Sequence, residues 1–282
     1  VLRPCLHLPA RVLVSCLLAS FALATTLAAC KRDAAPPRAA TTPSSPNAAG
    51  PAATPLLHDV IERDPRYMIG ISYPPIANRH PGLARALQRY ADAARAELMQ
   101  AVAGIGNEKP AAPYDLSLAF TQLAATPDLI AIAADGSSYT GGAHGNPLVA
   151  RFVWLPKADR ALTITDLVPD RAAWADIARQ VRVQLHAALA QRVDADALPP
   201  AERADVMRDA GHMIDEGTGP DPANFSQFEP VLGADGRIVA LRFVFAPYQV
   251  GPYADGTQTV DLPADVLLPH IAPAWRGLFA GG

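Results

Sequence analysis

Between Tyr114 and Ala124 the chain reads YDLSLAFTQLA, in which apolar and polar residues alternate with a period of two. That pattern requires an extended strand with one face against a core. A short Thr-Pro-Asp turn then leads into DLIAIAADGSSYTGG, Asp128 to Gly142, a second strand candidate. LVARFVWLP (Leu148 to Pro156) reads as a third strand, and ALTITDLV (Ala161 to Val168) as the partner that completes a hairpin. Strands joined so closely pair antiparallel.

Helical periodicity flanks this block. Leu83, Leu87, Tyr90, Ala94 and Leu98 recur at helical spacing and predict a helix over about 81–102, stopped by Gly104 and Gly106. A short apolar strand, YMIGISYP from Tyr67 to Pro74, precedes it and opens the folded body. Trp174, Ile177, Val181, Leu185 and Leu189 form one face of a helix over 170–193, with Asp170 as its N-cap. Pro199-Pro200 opens another helix to about Asp215. Residues 225–247 then read as a hairpin turning at Gly233-Ala234-Asp235-Gly236. TQTVDLP gives a last strand, and 263–271 a last short helix. Strands and helices segregate, so the expected class is α+β, antiparallel sheets packed by a few amphipathic helices.

The first residues carry a different signal. Arg3 and Arg11 accompany an apolar run from Val12 to Ala29 that closes in Leu27-Ala28-Ala29-Cys30. A transmembrane anchor is the rival reading of such a run. The Leu-Ala-Ala-Cys ending resembles the bacterial lipobox, so residues 1–29 are expected to be a lipoprotein signal peptide and Cys30 the lipidated residue. Lys31 follows directly, and by resemblance to lipoprotein sorting patterns the absence of Asp there favours the outer membrane, facing the periplasm. Residues 30–55 are Ala/Pro/Ser/Thr-rich without apolar periodicity and are expected to be a disordered tether. Past the signal, Cys30 is the only cysteine, which leaves no disulfide and no thiol nucleophile. A formal charge of −3 gives no footprint for nucleic acid. The membrane would be met through the lipid alone.

The search for chemistry finds no G-x-S-x-G, H-E-x-x-H or P-loop spacing. His58, His80, His144, His186, His212 and His270 are scattered, without the spacing of metal ligands. Asp194 and Asp196 lack the glycine and distal glutamate of a calcium loop. No catalytic residue, metal or cofactor is therefore expected. Ser138 and His144 are near in sequence and form the one candidate nucleophile–base pair, without an identified third group.

Two stretches remain. YTGGAHGN, Tyr139 to Asn146, ends a strand. Gly141, Gly142 and Gly145 are expected to let the backbone reverse where Cβ atoms would clash, with His144 hydrogen-bonded within the fold towards a tyrosine loop. FAPYQVGPYADGTQTVDLP, Phe245 to Pro263, places Tyr248 and Tyr253 after prolines, spaced by Gly251 and closed by Gly256. Its tyrosines read either as plugs with a polar tip or as a preorganised aromatic surface.

These stretches, in this order and with ALTITDLV between them, resemble the RsiV-like domain family, the ectodomain type of lysozyme-sensing anti-sigma factors. The resemblance runs from about Ile71 to Ile271. It implies an N-terminal α+β module over 56–145, of a type also found with peptidoglycan deacetylases, and an RsiV-like C-terminal domain over 146–282. It implies no established catalytic residue, and binding of a secreted hydrolase through a groove and its surrounding loops. A lipobox stands where anti-sigma members carry a cytoplasmic segment and membrane helix, so the anti-sigma role does not transfer. The expected function is a lipid-anchored periplasmic protein, not an enzyme, that binds and inhibits a lysozyme-like or lipase hydrolase, as an immunity protein would. A peptidoglycan- or glycan-binding module and a hydrolase using Ser138 and His144 are the alternatives. The candidate binding loops are Tyr139, Gly141, Gly142, His144, Asn146, Tyr248, Gly251, Tyr253 and Gly256.

Overall fold

The computed structural model describes residues 56–282. The expected signal peptide, Cys30 and the tether lie outside the described residues. Among the described residues no helix is long and apolar enough to cross a membrane.

The fold opens with two antiparallel strands, β1 (Val60–Asp64) and β2 (Tyr67–Ser72). β1 was not expected from sequence, because Val60 and Ile61 run directly into Glu62, Arg63 and Asp64 and show no alternation. A 3₁₀ turn, Pro75–Arg79, leads into α1 (Pro81–Gly104). Leu83, Leu87, Ala91, Ala94, Leu98 and Val102 are buried along one face of α1, at the spacing that predicted it. Gly106, at φ +58°, turns the chain out of the helix. The crossover returns the chain beside β2, so β3 (Tyr114–Ala125) pairs with β2 in parallel. This is the one parallel pair in a sheet otherwise antiparallel, and the intervening helix is its cause.

β4 (Ile130–Tyr139), β5 (Asn146–Leu155) and the two-residue β6 (Arg160–Ala161) complete a six-stranded sheet in sequence order. The division expected at residue 145 falls between β4 and β5, which pair from Ile130↔Trp154 to Ser138↔Asn146 within that one sheet.

ALTITDLV does not continue as a strand. Thr163 and Asp166 form a capping box, each side chain accepting from the other's backbone N–H, and the chain winds into α2 (Ile164–Leu167). The Thr-x-x-Asp spacing carries that signal, and the apolar alternation masks it. Asp170 is not the N-cap of the next helix. Its carboxylate accepts from Ala172 N in a preceding turn, and α3 (Ala173–Ala195) starts later. α4 (Pro200–Gly217), β7 (Phe228–Leu232), β8 (Ile238–Phe245), β9 (Gln258–Pro263) and α5 (Ala264–Leu267) follow, the three strands forming a second antiparallel sheet. The mixed helices and antiparallel sheets make the fold α+β, as expected.

Alternation gives the six-stranded sheet two unlike faces. Leu116, Leu118, Phe120 and Ile132 pack against α1. On the other face, Val153 and Leu155 join a core with Trp174 and Val181 of α3 and Phe243 of β8. Ala131 and Ala133 are buried on that face as well, and only its far end is open. Register aligns Ile61, Gly70, Ser117, Ser137 and Pro147 in one row across it, and Ile61, Gly70 and Ser117 are exposed.

Candidate functional site

The loops singled out from sequence meet at the end of this open face. Tyr139 closes β4 and donates from its hydroxyl to the Gly142 carbonyl at 3.2 Å. Gly141 and Gly142 sit at φ +99° and +98°, which L side chains avoid. A Cβ on either would meet nothing within 4 Å, so backbone conformation is the reason for glycine and not the expected clash. Gly145 has no positive φ, and a Cβ there would lie at ordinary packing distance, 3.4 Å, from Ser137 Cβ.

The turn lifts His144 onto the late tyrosine loop. Its ring stacks on Tyr253 with centroids 3.8 Å apart at 14°. His144 Nδ1 lies 3.1 Å from the Gly145 carbonyl, which only accepts, so this nitrogen carries the proton. Nε2 then accepts from the Tyr248 hydroxyl at 2.9 Å. Tyr248 is 54 % exposed, and its ring lies 5.8 Å from Tyr253.

The tyrosine loop is held from below. Tyr248 has φ +73°, a conformation costing a non-glycine residue about 1–2 kcal/mol. Its N–H donates to the Gly251 carbonyl at 2.9 Å. Gln249 Nε2 donates to the carbonyls of Gly217 and Asn224, at 3.3 and 2.9 Å. Arg192 of α3 donates to Asp255 at 2.6 Å, and Gly256, at φ +67°, ends the 3₁₀ turn Tyr253–Asp255. Asn146 is exposed at the start of β5, paired in register with Ser138.

Ser138 and His144 are not brought together. Ser138 is 8 % exposed and shares the α1 face with Leu116, its register partner. Both ring nitrogens of His144 are engaged elsewhere. Among the described residues no three His, Cys, Asp or Glu side chains gather as a metal ligand set. His186 pairs with Asp215 at 3.0 Å. Its hydrogen bond, aided by the charges of Arg182 and His212, holds the Asp215 carboxyl below the usual carboxylate range. Asp194 pairs with Arg203.

A chain of ion pairs that sequence reasoning missed joins the two sheets. Arg151 on β5 reaches Asp135 of β4 at 2.9 Å and Glu229 of β7 at 2.8 Å. Glu229 lies 3.5 Å from Arg242 of β8, which holds Asp261 of β9 at 2.7 Å. The bond to Asp261 raises the Arg242 pKa further. A charged residue at an inward position of β5, in LVARFVWLP, was the available signal.

Residues 61–147 match the family described as Deacetylase PdaC, and residues 166–265 the family described as Protein of unknown function (DUF3298). A DUF3298 family member from Bacteroides fragilis is similar in structure at a TM-score of 0.49 and 16% identity, over 80% of this chain and 96% of that chain. A DUF3298 family protein from Pseudomonas aeruginosa gives 0.48 and 16%, over 80% and 96%. No curated protein sequence matches the chain. The chain thus carries a PdaC domain followed by a DUF3298 domain.

Proposed function

We propose that this protein is a binding protein of the bacterial cell envelope, anchored through Cys30 in the outer membrane, that captures and restrains a hydrolase. The cluster of His144, Tyr248 and Tyr253 is the contact surface in this reading. The observation that carries it is the exposed Tyr248 at φ +73°, fixed by His144 and by hydrogen bonds from below. Backbone strain retained at an exposed aromatic residue is a mark of functional surfaces. Tyrosines supply contact area at low entropy cost, and a loop fixed before binding lowers the cost of association. The resemblance to RsiV-like domains supplies the partner class, a lysozyme-like or lipase enzyme.

The test is affinity capture by the full chain from periplasmic extracts and mixed bacterial cultures, followed by assay of the captured enzyme. The expected result is one hydrolase, inhibited in the complex and lost with Tyr248→Ala. His144→Ala, which removes one hydrogen bond and one stacked pair, should lower stability by about 1–2 kcal/mol. Failure of the wild-type chain to retain any hydrolase ends this reading.

A further inference from the structure

β5 loses its neighbour part-way along its outer edge. β6 pairs only with Trp154 and Leu155, and the last ladder bond runs from Leu162 N to Val153 O at 2.8 Å. The capping box of Thr163 and Asp166 then bends the chain away into α2. On the other side Gln227 Oε1 accepts from Arg151 N at 2.7 Å, so a side chain stands where a strand would. Between the two lies a slot of about 400 Å³, within the size range of small-molecule sites.

The slot is apolar. Val153, Leu162, Ile164 and Phe228, all buried, line it. Arg151 lines it too, but its charge is held by Asp135 and Glu229. An uncharged apolar group therefore suits the interior. The mouth is different. Asp221 and Pro222 line both the slot and an adjoining hollow of about 440 Å³, which Arg171 also lines. Asp221 Oδ1 accepts from Ala223 N at 2.9 Å, which leaves the second oxygen for a ligand. Among the described residues neither Asp221 nor Arg171 belongs to an ion pair. Two opposite charges thus border one mouth without meeting each other.

We propose that this site binds a free amino acid with an apolar side chain. The side chain fills the slot, the α-ammonium meets Asp221, and the α-carboxylate meets Arg171, whose planar fork suits it. A zwitterion satisfies both charges at once. A fatty acid would use Arg171 but bring its carboxylate beside Asp221, a like charge. An alkylamine would use Asp221 and set its cation beside Arg171. None of His144, Tyr248 and Tyr253 lines the site, so it is separate from the loop cluster.

The experiment uses the isotope-labelled full chain and follows the Ile164 methyl resonances. L-Phenylalanine is compared with hydrocinnamate, which lacks the ammonium, with phenethylamine, which lacks the carboxylate, and with alanine, which lacks the ring. Phenylalanine is expected to bind about fivefold more tightly than either singly charged relative, the effect of one exposed charge contact. Alanine should leave Ile164 unmoved. Asp221→Asn keeps an oxygen for Ala223 N and removes the charge, so it should weaken phenylalanine and phenethylamine but not hydrocinnamate. Arg171→Ala should weaken phenylalanine and hydrocinnamate but not phenethylamine. Asp221 and Arg171 are exposed, so both variants keep the fold, checked by circular dichroism. The proposal is overturned if phenylalanine leaves Ile164 unmoved, if alanine moves it as far at equal concentration, or if the three ring compounds bind alike. It is equally overturned if either variant weakens all three ring compounds to the same degree or none of them.

Discussion

Arg151→Met tests whether the ion-pair chain holds the two sheets together. The substitution keeps the apolar stem and removes the charge. The Arg151 side chain is 9 % exposed and that of Glu229 is 13 % exposed, whereas that of Asp135 is 53 % exposed. Removing one partner of a buried pair costs about 3–5 kcal/mol, because the other charge is left desolvated. Here Glu229 keeps Arg242 at 3.5 Å, which moderates the loss. The contact to exposed Asp135 adds about 0–1 kcal/mol. The expected cost is therefore about 2–3 kcal/mol, nearly all of it through Glu229. Urea unfolding measures it, as a lower midpoint at an unchanged slope. Asp135→Asn should cost under about 1 kcal/mol, and Glu229→Gln in the Arg151→Met background should recover part of the loss. If Asp135→Asn costs as much as Arg151→Met, or Arg151→Met unfolds like wild type, the assignment of the energy to the buried pair is wrong.

Gly82→Ala should destabilise, against the usual helix preference. Its Cβ would lie 2.6 Å from Trp154 and 2.7 Å from Asp159 Oδ1, so overpacking and a weakened cap together cost about 2–3 kcal/mol by chemical denaturation. Tyr73 is stacked on Phe120 at 5.0 Å, and burial, with lesser contributions from Asp92 and Asp59, pushes its pKa up to about 12. The folded state thus holds this proton more tightly than the unfolded chain, so stability is full below about pH 10 and falls as pH rises towards about 12; Tyr73→Phe should flatten that fall in a pH series of unfolding curves. Arg192→Ala frees Asp255 and loosens the tyrosine loop without touching an exposed aromatic group. Hydrolase capture should weaken about fivefold while far-ultraviolet circular dichroism stays unchanged, and unchanged capture would show that the loop needs no clamp.

Local pattern made much of the fold readable. The buried Leu116, Leu118 and Phe120 are the residues whose alternation marks β3, and Leu83 to Leu98 mark α1 for the same reason. What stayed hidden depends on partners distant in sequence. Asp159, at φ +46°, supplies the carboxylate that caps α1 at Gly82, and neither position signals the other. The parallel pairing of β2 with β3 follows from where α1 returns the chain, which periodicity does not encode. ALTITDLV misled because a capping box and a strand both accept alternating apolar residues, and only the Thr163–Asp166 spacing separates them. At the candidate site, the glycines and tyrosines were visible as unusual composition. The meeting of the two loops through His144 and Tyr248, 104 residues apart, required the sheet to be built first.

The tyrosine loop shows why rigidity and strain occur together there. A glycine at position 248 would remove the penalty of φ +73°. It would also remove the hydroxyl that His144 Nε2 accepts from, and the ring beside Tyr253. Neighbouring turns take the cheaper solution, with Gly256 at φ +67° and Gly141 and Gly142 near +99°. The loop is therefore able to use glycine where only direction matters, and carries a tyrosine where a ring has to stand in a fixed place. Holding it there takes contacts outside the loop. Gln249 reaches the end of α4 and the turn at Asn224, and Asp255 is clamped to α3. The helices behind the loop thus bear a cost of about 1–2 kcal/mol, and the outcome is an exposed aromatic group held in one fixed place.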